Sequence, residues 1–176
     1  MLKKIALGIA VIVVIILGLA LTKPDEFQLR RTTTINAPRE KVFALVNDFH
    51  NWPAWSPWEH KDPNMKRSYG GAPSGVGATY DWSGNSDVGT GKMAITNSVA
   101  PAKVGIALDF LTPFESHNIT TFTLDSTATG TTVTWEMHGP DSFMSKVMMV
   151  FTSMEKMVGP DFDAGMANLK TAAEKP

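Results

Sequence analysis

The residue types that most often carry out chemistry are few and scattered in this chain of 176 residues. There is no cysteine, which excludes disulfide bonds, thiolate catalysis and cysteine-based zinc sites. The four histidines, His50, His60, His117 and His138, do not have the spacing of metal ligands. No serine lies in the sequence context of a nucleophile elbow. The sequence therefore predicts no metal site, no cofactor and no covalent catalytic centre.

One glycine-rich segment, Gly89-Thr90-Gly91-Lys92, resembles the end of a phosphate-binding loop. However, Ser86 stands where that motif requires a glycine, and Met93 replaces its Ser or Thr. The segment also leads into a predicted strand, whereas the motif opens a helix. The balance of 16 basic and 17 acidic residues gives no electrostatic argument for nucleic acid. Neither a nucleotide site nor a nucleic-acid partner is indicated.

Aromatic side chains, in contrast, are concentrated in one short stretch. Trp52, Trp55 and Trp58 lie at intervals of three residues, with Pro53 and Pro57 between them. The prolines limit this stretch to a short helix or a turn. For Trp52, which directly follows the preceding helix, a place in the core and a place at a pocket are equal alternatives, whereas we expect Trp55 and Trp58 at the mouth of a pocket. A belt at a membrane interface is a further interpretation.

The sequence pattern predicts the elements that position these residues: a strand, a short helix, several strands and a long C-terminal helix. Alternating residues predict the first strand over 27–35, and Pro38 suits the first turn of the helix after it. Five more strands are expected to begin roughly at Val76, Gly89, Lys103, Ser116 and Thr131, and a weaker one runs from Met65 to Tyr69. Short connections between successive strands imply an antiparallel meander.

The C-terminal segment has apolar residues at helical spacing from Met144 to Ala173. We expect Gly159-Pro160 to break or kink this helix. Six methionines lie between Met144 and Met166, and because methionine fills irregular volumes they favour an adaptable apolar cavity over a fully packed centre. The predicted fold class is therefore α+β, with a single curved antiparallel sheet wrapped on a long C-terminal helix.

Strand alternation predicts which side chains face that helix. The large inward-facing aromatic residues are Tyr80, Trp82, Phe110, Phe122 and Trp135. Most ionisable residues of the strands fall on the opposite face. Arg31 shares the inward face with Leu29, although a solvated side chain is the alternative for it. Arg31 and Tyr80 are thus the only titratable groups expected inside.

The N-terminal segment carries an uncharged apolar run over residues 5–21, preceded by Lys3 and Lys4. As a helix this run spans about 25 Å, slightly less than the ~30 Å hydrocarbon core. We expect residues 1–26 to form an uncleaved single-pass anchor in the cell membrane with a short linker, and a cleaved signal peptide is the alternative. The positive-inside rule places the two lysines in the cytoplasm and residues 27–176 on the non-cytoplasmic side.

The order of these segments resembles a known family. A strand is followed by INAPREKVFALVNDFHNWPAWSPW, then by GAPSGVGATYDWSGN, a meander and the closing helix GPDFDAGMANLKTAAE. This arrangement resembles the polyketide cyclase/dehydrase-type members of the SRPBCC superfamily, which have a START-like helix-grip fold. The resemblance covers roughly Phe27 to Glu174 and implies a cavity between the sheet and the C-terminal helix, with the tryptophan stretch as a rigid aromatic cap at one end. Because such proteins range from aromatases to passive carriers, it transfers no catalytic residue.

We therefore expect a membrane-anchored domain that binds a hydrophobic small molecule or lipid. The expected wall of its cavity consists of Tyr80, Trp82, Phe110, Phe122, Trp135, Met148 and Phe151, with Trp55 and Trp58 at the mouth. A cyclase/dehydrase-like enzyme is the first alternative, and it would need a titratable group inside the cavity. A protein-interaction module, similar to the co-chaperone branch of the superfamily, is the second alternative.

Overall fold

The computed structural model describes all 176 residues and contains four α-helices, two short 3₁₀ helices and seven strands. The α-helices are α1 (Leu2–Leu21), α2 (Arg39–Val46), α3 (Phe143–Met148) and α4 (Met154–Glu174). The 3₁₀ helices span Phe49–Ala54 and Pro57–His60. The strands are β1 (Glu26–Ile35), β2 (Lys66–Gly71), β3 (Ala78–Ser83), β4 (Thr90–Val99), β5 (Lys103–Thr112), β6 (Ser116–Thr127) and β7 (Gly130–Pro140).

All seven strands form one antiparallel sheet in the order β1-β7-β6-β5-β4-β3-β2. Strands β2 to β7 pair with their neighbours along the chain, and β1 pairs with β7 over its whole length. A register shift between Ile95 and Asn97 marks an irregularity in β4, and such irregularities bend a sheet. The predicted α+β helix-grip fold is confirmed, and the weak strand near Tyr69 exists as β2.

Helix α4 lies against this sheet and buries one of its faces. That face consists of Phe162, Gly165, Met166, Leu169 and Ala173, which contact a core that includes inward-facing residues of the strands. The amphipathic spacing of the sequence predicts this stripe correctly. The close packing lies in the C-terminal two-thirds of α4, because no residue before Gly159 in this helix is fully buried.

Arg31 joins β1 to α4 at the surface. Its guanidinium donates to Asp163 Oδ1 over 2.5 Å and forms a second ion pair with Glu155. The two carboxylates raise the pKa of Arg31, so that the side chain stays charged. Arg31 therefore ties the sheet edge to the helix and is not a free titratable group inside the domain.

The expected helix break at Gly159-Pro160 is wrong. Helix α4 continues through both residues, and the interruption lies instead between Met148 and Met154. The physical reason is local capping: the Ser153 side chain accepts a hydrogen bond from the Lys156 amide and starts a new helix there. Pro160 lies in the second turn of α4, where it removes a single backbone hydrogen bond.

Helix α1 is long and apolar enough to cross a membrane, a property that signal sequences share. Ala20 is its only buried residue, and the helix packs against α3. Beyond it, the Asp25 carboxylate forms an ion pair with Lys146 of α3, and the Asp25 carbonyl accepts a hydrogen bond from the Asp141 amide. The end of α1 is thus held beside α3.

A substitution in α4 tests how closely the helix approaches the sheet. A Cβ at Gly165 would lie 2.8 Å from the Trp135 ring, which is stacked between Phe122 and Phe162 and holds a hydrogen bond to Thr120. We expect Gly165→Ala to lower the free energy of unfolding by about 1–2 kcal/mol, although alanine is the better helix former. Gly159→Ala is the matched control, because its new Cβ would meet only the ends of flexible side chains. Urea unfolding measures both, and equal stabilities would contradict the close contact.

Removal of residues 1–24 tests whether the rest of the chain folds independently. The truncated chain retains Asp25, whose carbonyl pairs with Asp141, and all of β1. Because only Ala20 of the removed helix is buried, we expect a cooperative thermal transition followed by circular dichroism. A chain without a cooperative transition would show that α1 belongs to the folding unit.

Candidate ligand cavity

A cavity of about 380 Å³ lies between the sheet and the first half of α4. Seventeen of its 28 lining residues are hydrophobic, and they come from the sheet, the 3₁₀ helices and α4. Trp58, Tyr80, Trp82 and Trp135 provide aromatic surface, and Met154 and Met157 provide flexible surface from α4. The cavity is therefore chiefly apolar, with polar groups at a few defined points.

The structure places five of the nine residues predicted for the ligand site on the cavity wall. These are Trp58, Tyr80, Trp82, Phe110 and Trp135. The other four, Trp55, Phe122, Met148 and Phe151, do not line the cavity. Trp55 and Phe122 are completely buried in the core beside it, whereas Phe151 is 72% exposed. Ligand contact by the five wall residues remains a prediction.

The tryptophan stretch forms two 3₁₀ turns, and this explains why its members differ. In a 3₁₀ helix residues three apart lie on the same side, so Trp52 and Trp55 both point inward from the first turn. Their indole N–H groups donate to the carbonyls of Val46 and Leu45 at the end of α2, over 3.2 and 3.0 Å. The expected mouth position of Trp55 is therefore wrong, because its polar edge is used to hold α2.

Trp135 of β7 is the centre of the aromatic cluster. Its ring stacks on Phe162 of α4 with centroids 3.9 Å apart and on Phe122 of β6 at 5.0 Å. Its indole nitrogen donates to the Thr120 hydroxyl over 2.7 Å. Trp58 meets the edge of Trp135 at 6.1 Å and borders the cavity. The floor of the cavity is thus a fixed aromatic surface.

A buried carboxylate, which the sequence analysis did not identify, borders the same cavity. Glu59 is 5% exposed, and it accepts a hydrogen bond from the Tyr80 hydroxyl over 2.6 Å. Its other oxygen accepts from Arg67 Nε over 2.6 Å, and a second Arg67 nitrogen donates to the Glu59 carbonyl. Burial and the bond to Glu59 raise the pKa of Tyr80, and the bond to Glu59 raises that of Arg67.

The triad of Glu59, Tyr80 and Arg67 determines which hydrogen bonds these groups can still make. Because Tyr80 donates its only hydroxyl proton to Glu59, the hydroxyl oxygen can only accept further hydrogen bonds. Both Glu59 oxygens already have strong donors, so the carboxylate is oriented and neutralised by Arg67. The only sequence signal for Glu59 is its place between Trp58 and His60, where a charged residue is ordinarily exposed.

A second polar point lies on β6. Asn118 is buried and lines the cavity, and its carboxamide oxygen accepts from the Ser116 hydroxyl over 3.1 Å. Its amide nitrogen makes no hydrogen bond within the protein. The nearby Thr120 hydroxyl has no proton left to donate, since it donates to the Glu136 carbonyl, and it accepts from Trp135. Asn118 is thus a free donor, and Tyr80 a free acceptor, in an apolar cavity.

Several solved structures share this fold at low sequence identity. A protein of Chromobacterium violaceum is 15% identical, with a TM-score of 0.61 over 88% of this chain and 100% of the other. The major latex-like protein 151 of Panax ginseng is 13% identical, with a TM-score of 0.63 over 86% and 100%. The di-domain ARO/CYC protein BexL of the BE-7585A biosynthetic pathway is 14% identical, with a TM-score of 0.63 over 90% of this chain and 53% of BexL. These similarities establish the fold alone.

The family follows from the sequence. No curated protein sequence matches the chain. Residues 26–174, which extend from the start of β1 to the end of α4, match the family model described as polyketide cyclase / dehydrase and lipid transport. This range agrees with the extent of the resemblance noted from the motifs alone. The chain therefore belongs to the polyketide cyclase/dehydrase and lipid transport family.

Proposed function

We propose that the protein binds a hydrophobic small molecule or lipid in the cavity between the sheet and α4, while α1 anchors it to the cell membrane. The observation that carries this proposal is the apolar cavity of about 380 Å³ beside an otherwise closely packed core of 23 buried residues. Pockets for small molecules typically enclose about 300–1,000 Å³. The cavity is large enough for a small ligand and has the lining that an apolar one requires.

Apolar burial would supply most of the binding free energy. Each 100 Å² of apolar ligand surface removed from water contributes about 2.5 kcal/mol. The wall residues proposed to make this contact are Trp58, Tyr80, Trp82, Phe110 and Trp135. Because the aromatic floor is already fixed by stacking, little side-chain entropy is lost there when a ligand binds.

The two polar points would orient the ligand. The Tyr80 oxygen accepts a hydrogen bond from a hydroxyl or N–H group, and the Asn118 amide donates to a carbonyl or hydroxyl oxygen. A ligand that satisfies both carries at least one polar group on an otherwise apolar frame. A pure hydrocarbon would leave the buried Asn118 amide without a partner, which costs free energy.

Helix α1 and its flanking charges support a location for the domain. Lys3 and Lys4 precede the apolar segment, so the positive-inside rule supports a non-cytoplasmic position for the domain. Cleavage of this segment as a signal peptide is the alternative, and it would release the domain on the same side of the membrane. N-terminal sequencing of the mature protein distinguishes the two.

A cyclase/dehydrase-like activity is the second candidate, and the position of Glu59 and Tyr80 at the cavity favours it. Such reactions require a group that takes or gives a proton at the substrate. Here Arg67 and Tyr80 occupy both Glu59 oxygens, and Tyr80 directs its proton to Glu59. The triad is better suited to orienting a bound molecule than to proton transfer, so binding is the better supported function.

A cavity-filling substitution tests the binding function. Leu108 lines the cavity from β5, and Leu108→Trp would fill part of the cavity with an indole ring. We expect the affinity for 1-anilinonaphthalene-8-sulfonate, measured by fluorescence on the chain lacking residues 1–24, to fall at least about tenfold. Val99→Trp, at an exposed site on the β4–β5 hairpin, should leave this affinity unchanged. Equal affinities in both variants would refute ligand binding in this cavity.

Tyr80→Phe removes one hydroxyl and tests the role of the triad. We expect a loss of about 1.5–3 kcal/mol in the free energy of unfolding, because Glu59 loses a buried donor. Tyr69→Phe is the matched control, since the Tyr69 hydroxyl makes no hydrogen bond within the protein. Apolar probe affinity should stay within about threefold of the wild type, because the ring remains. An undiminished stability would show that the bond to Glu59 contributes nothing.

Tyr80→Phe also tests how the free energy of unfolding depends on pH. The pKa of Tyr80 in the folded chain lies above its ordinary value of 10.0, so the folded state retains a proton that the unfolded state releases. The free energy of unfolding of the wild type should therefore decrease as the pH rises above about 10. Urea unfolding at pH 8 and pH 10.5 should show a smaller decrease for Tyr80→Phe than for the wild type. An identical decrease would contradict the raised pKa.

A further inference from the structure

Exposed apolar side chains outside α1 are concentrated beside the cavity. Ten large apolar residues after that helix in the chain are exposed. Six of them form what we call the apolar collar: Leu111, Phe114, Phe143, Met144, Phe151 and Met157. They belong to two segments only, the β5–β6 hairpin and the segment from α3 to the start of α4. Contiguous exposed apolar surface of this kind marks an interaction site.

The collar forms one side of the cavity mouth. Phe114 and Met157 both line the cavity and are exposed, so the cavity reaches the surface between them. Ser145, the neighbour of Met144 in α3, also lines the cavity. A charged pair lies next to the collar: Lys61 and Asp161, which are paired over 2.6 Å, also line the cavity, and Asp161 is one helical turn from Met157. The lining near the collar therefore contains both apolar and charged side chains.

The collar also adjoins α1. Helix α3, which carries Phe143 and Met144, packs against α1, and only residues 22–25 connect α1 to β1. Four extended residues span at most about 14 Å. The ion pair between Lys146 and Asp25 fastens α3 to this linker. If α1 crosses a bilayer, α3 therefore lies at the depth of the lipid headgroups.

We propose that the apolar collar inserts into the lipid bilayer interface and that the cavity opens directly toward the membrane. This inference rests on the membrane-anchored binding function proposed above and specifies where the ligand enters. Phenylalanine and methionine suit the boundary between headgroups and acyl chains, and the adjacent Lys61–Asp161 pair suits the headgroup layer. The occupant is lipid, since the collar adjoins the point where α1 leaves the bilayer.

The absence of cysteine makes the full chain suitable for site-specific labelling. Single variants Met144→Cys and Phe151→Cys place an environment-sensitive nitrobenzoxadiazole probe on the collar. Val99→Cys is the matched control, because Val99 is an exposed apolar residue of the β4–β5 hairpin, which lies at the end of β5 opposite to Leu111, about 30 Å along that ten-residue strand. The full chain is reconstituted in phosphatidylcholine vesicles with and without lipids that carry a doxyl quencher on the acyl chain.

We expect emission at shorter wavelength and at least a twofold quenching by doxyl lipids for probes at positions 144 and 151. The probe at position 99 should emit as in water and should not be quenched. Water-like emission at both collar positions would overturn the proposal. A shift to shorter wavelength that depends on protein density, with no lipid quenching, would identify a second copy of the chain as the occupant and would also overturn it. Failure of the chain to float with vesicles would refute the anchor on which the proposal rests.

This measurement does not depend on an occupied cavity, so it separates the two proposals. Labelled chains that also carry Leu108→Trp should show the same quenching at position 151. Quenching at the collar in a chain whose cavity takes up no apolar probe would uphold the collar and refute the binding function. Probe binding in the cavity without quenching at the collar would uphold the binding function and refute membrane contact.

Discussion

The contact between α4 and Trp135 determines how the helix and the sheet enclose space. The indole of Trp135 stacks on Phe162 at 3.9 Å, and the absence of a side chain at Gly165 allows this approach. From this contact onward α4 packs closely on the sheet, with Leu169 fully buried. Before it, the residues of α4 border the cavity. The helix is therefore in close contact with the sheet at one end and separated from it at the other, and Arg31 holds the separated end through Glu155.

Much of this fold could be predicted from the sequence, because its elements are long and regular. The alternation in β5 and β7 predicts correctly that Phe110 and Trp135 face inward. The predicted boundaries of the last helix are less accurate, because apolar spacing continues across the turn at Ser153. The spacing of apolar residues shows which face of a helix is buried, but it does not show where a helix begins or ends. Here the Ser153 side chain caps the start of α4 and so separates it from α3.

The polar part of the site could not be predicted in the same way. Glu59 is followed by a loop, and its partners Arg67 and Tyr80 belong to two different strands. Only the pairing of β2 with β3 brings these strands together, so strand alternation alone has no information about the triad. Trp55 illustrates a related limit: its predicted place is the mouth, but its indole N–H donates to a carbonyl at the end of α2, ten residues earlier.

The two ends of the cavity differ in rigidity, and this difference bears on how a ligand would enter. At the floor, Trp135 is fixed on both faces by aromatic rings and at its nitrogen by Thr120. At the mouth, Met154 and Met157 have flexible side chains, which adapt to different shapes. A fixed floor favours one orientation of the bound part of a ligand, whereas an adaptable mouth tolerates variation in the part that enters last. Such a cavity is suited to a molecule that is taken up end-on, and α3, which packs against the apolar helix α1, borders its mouth.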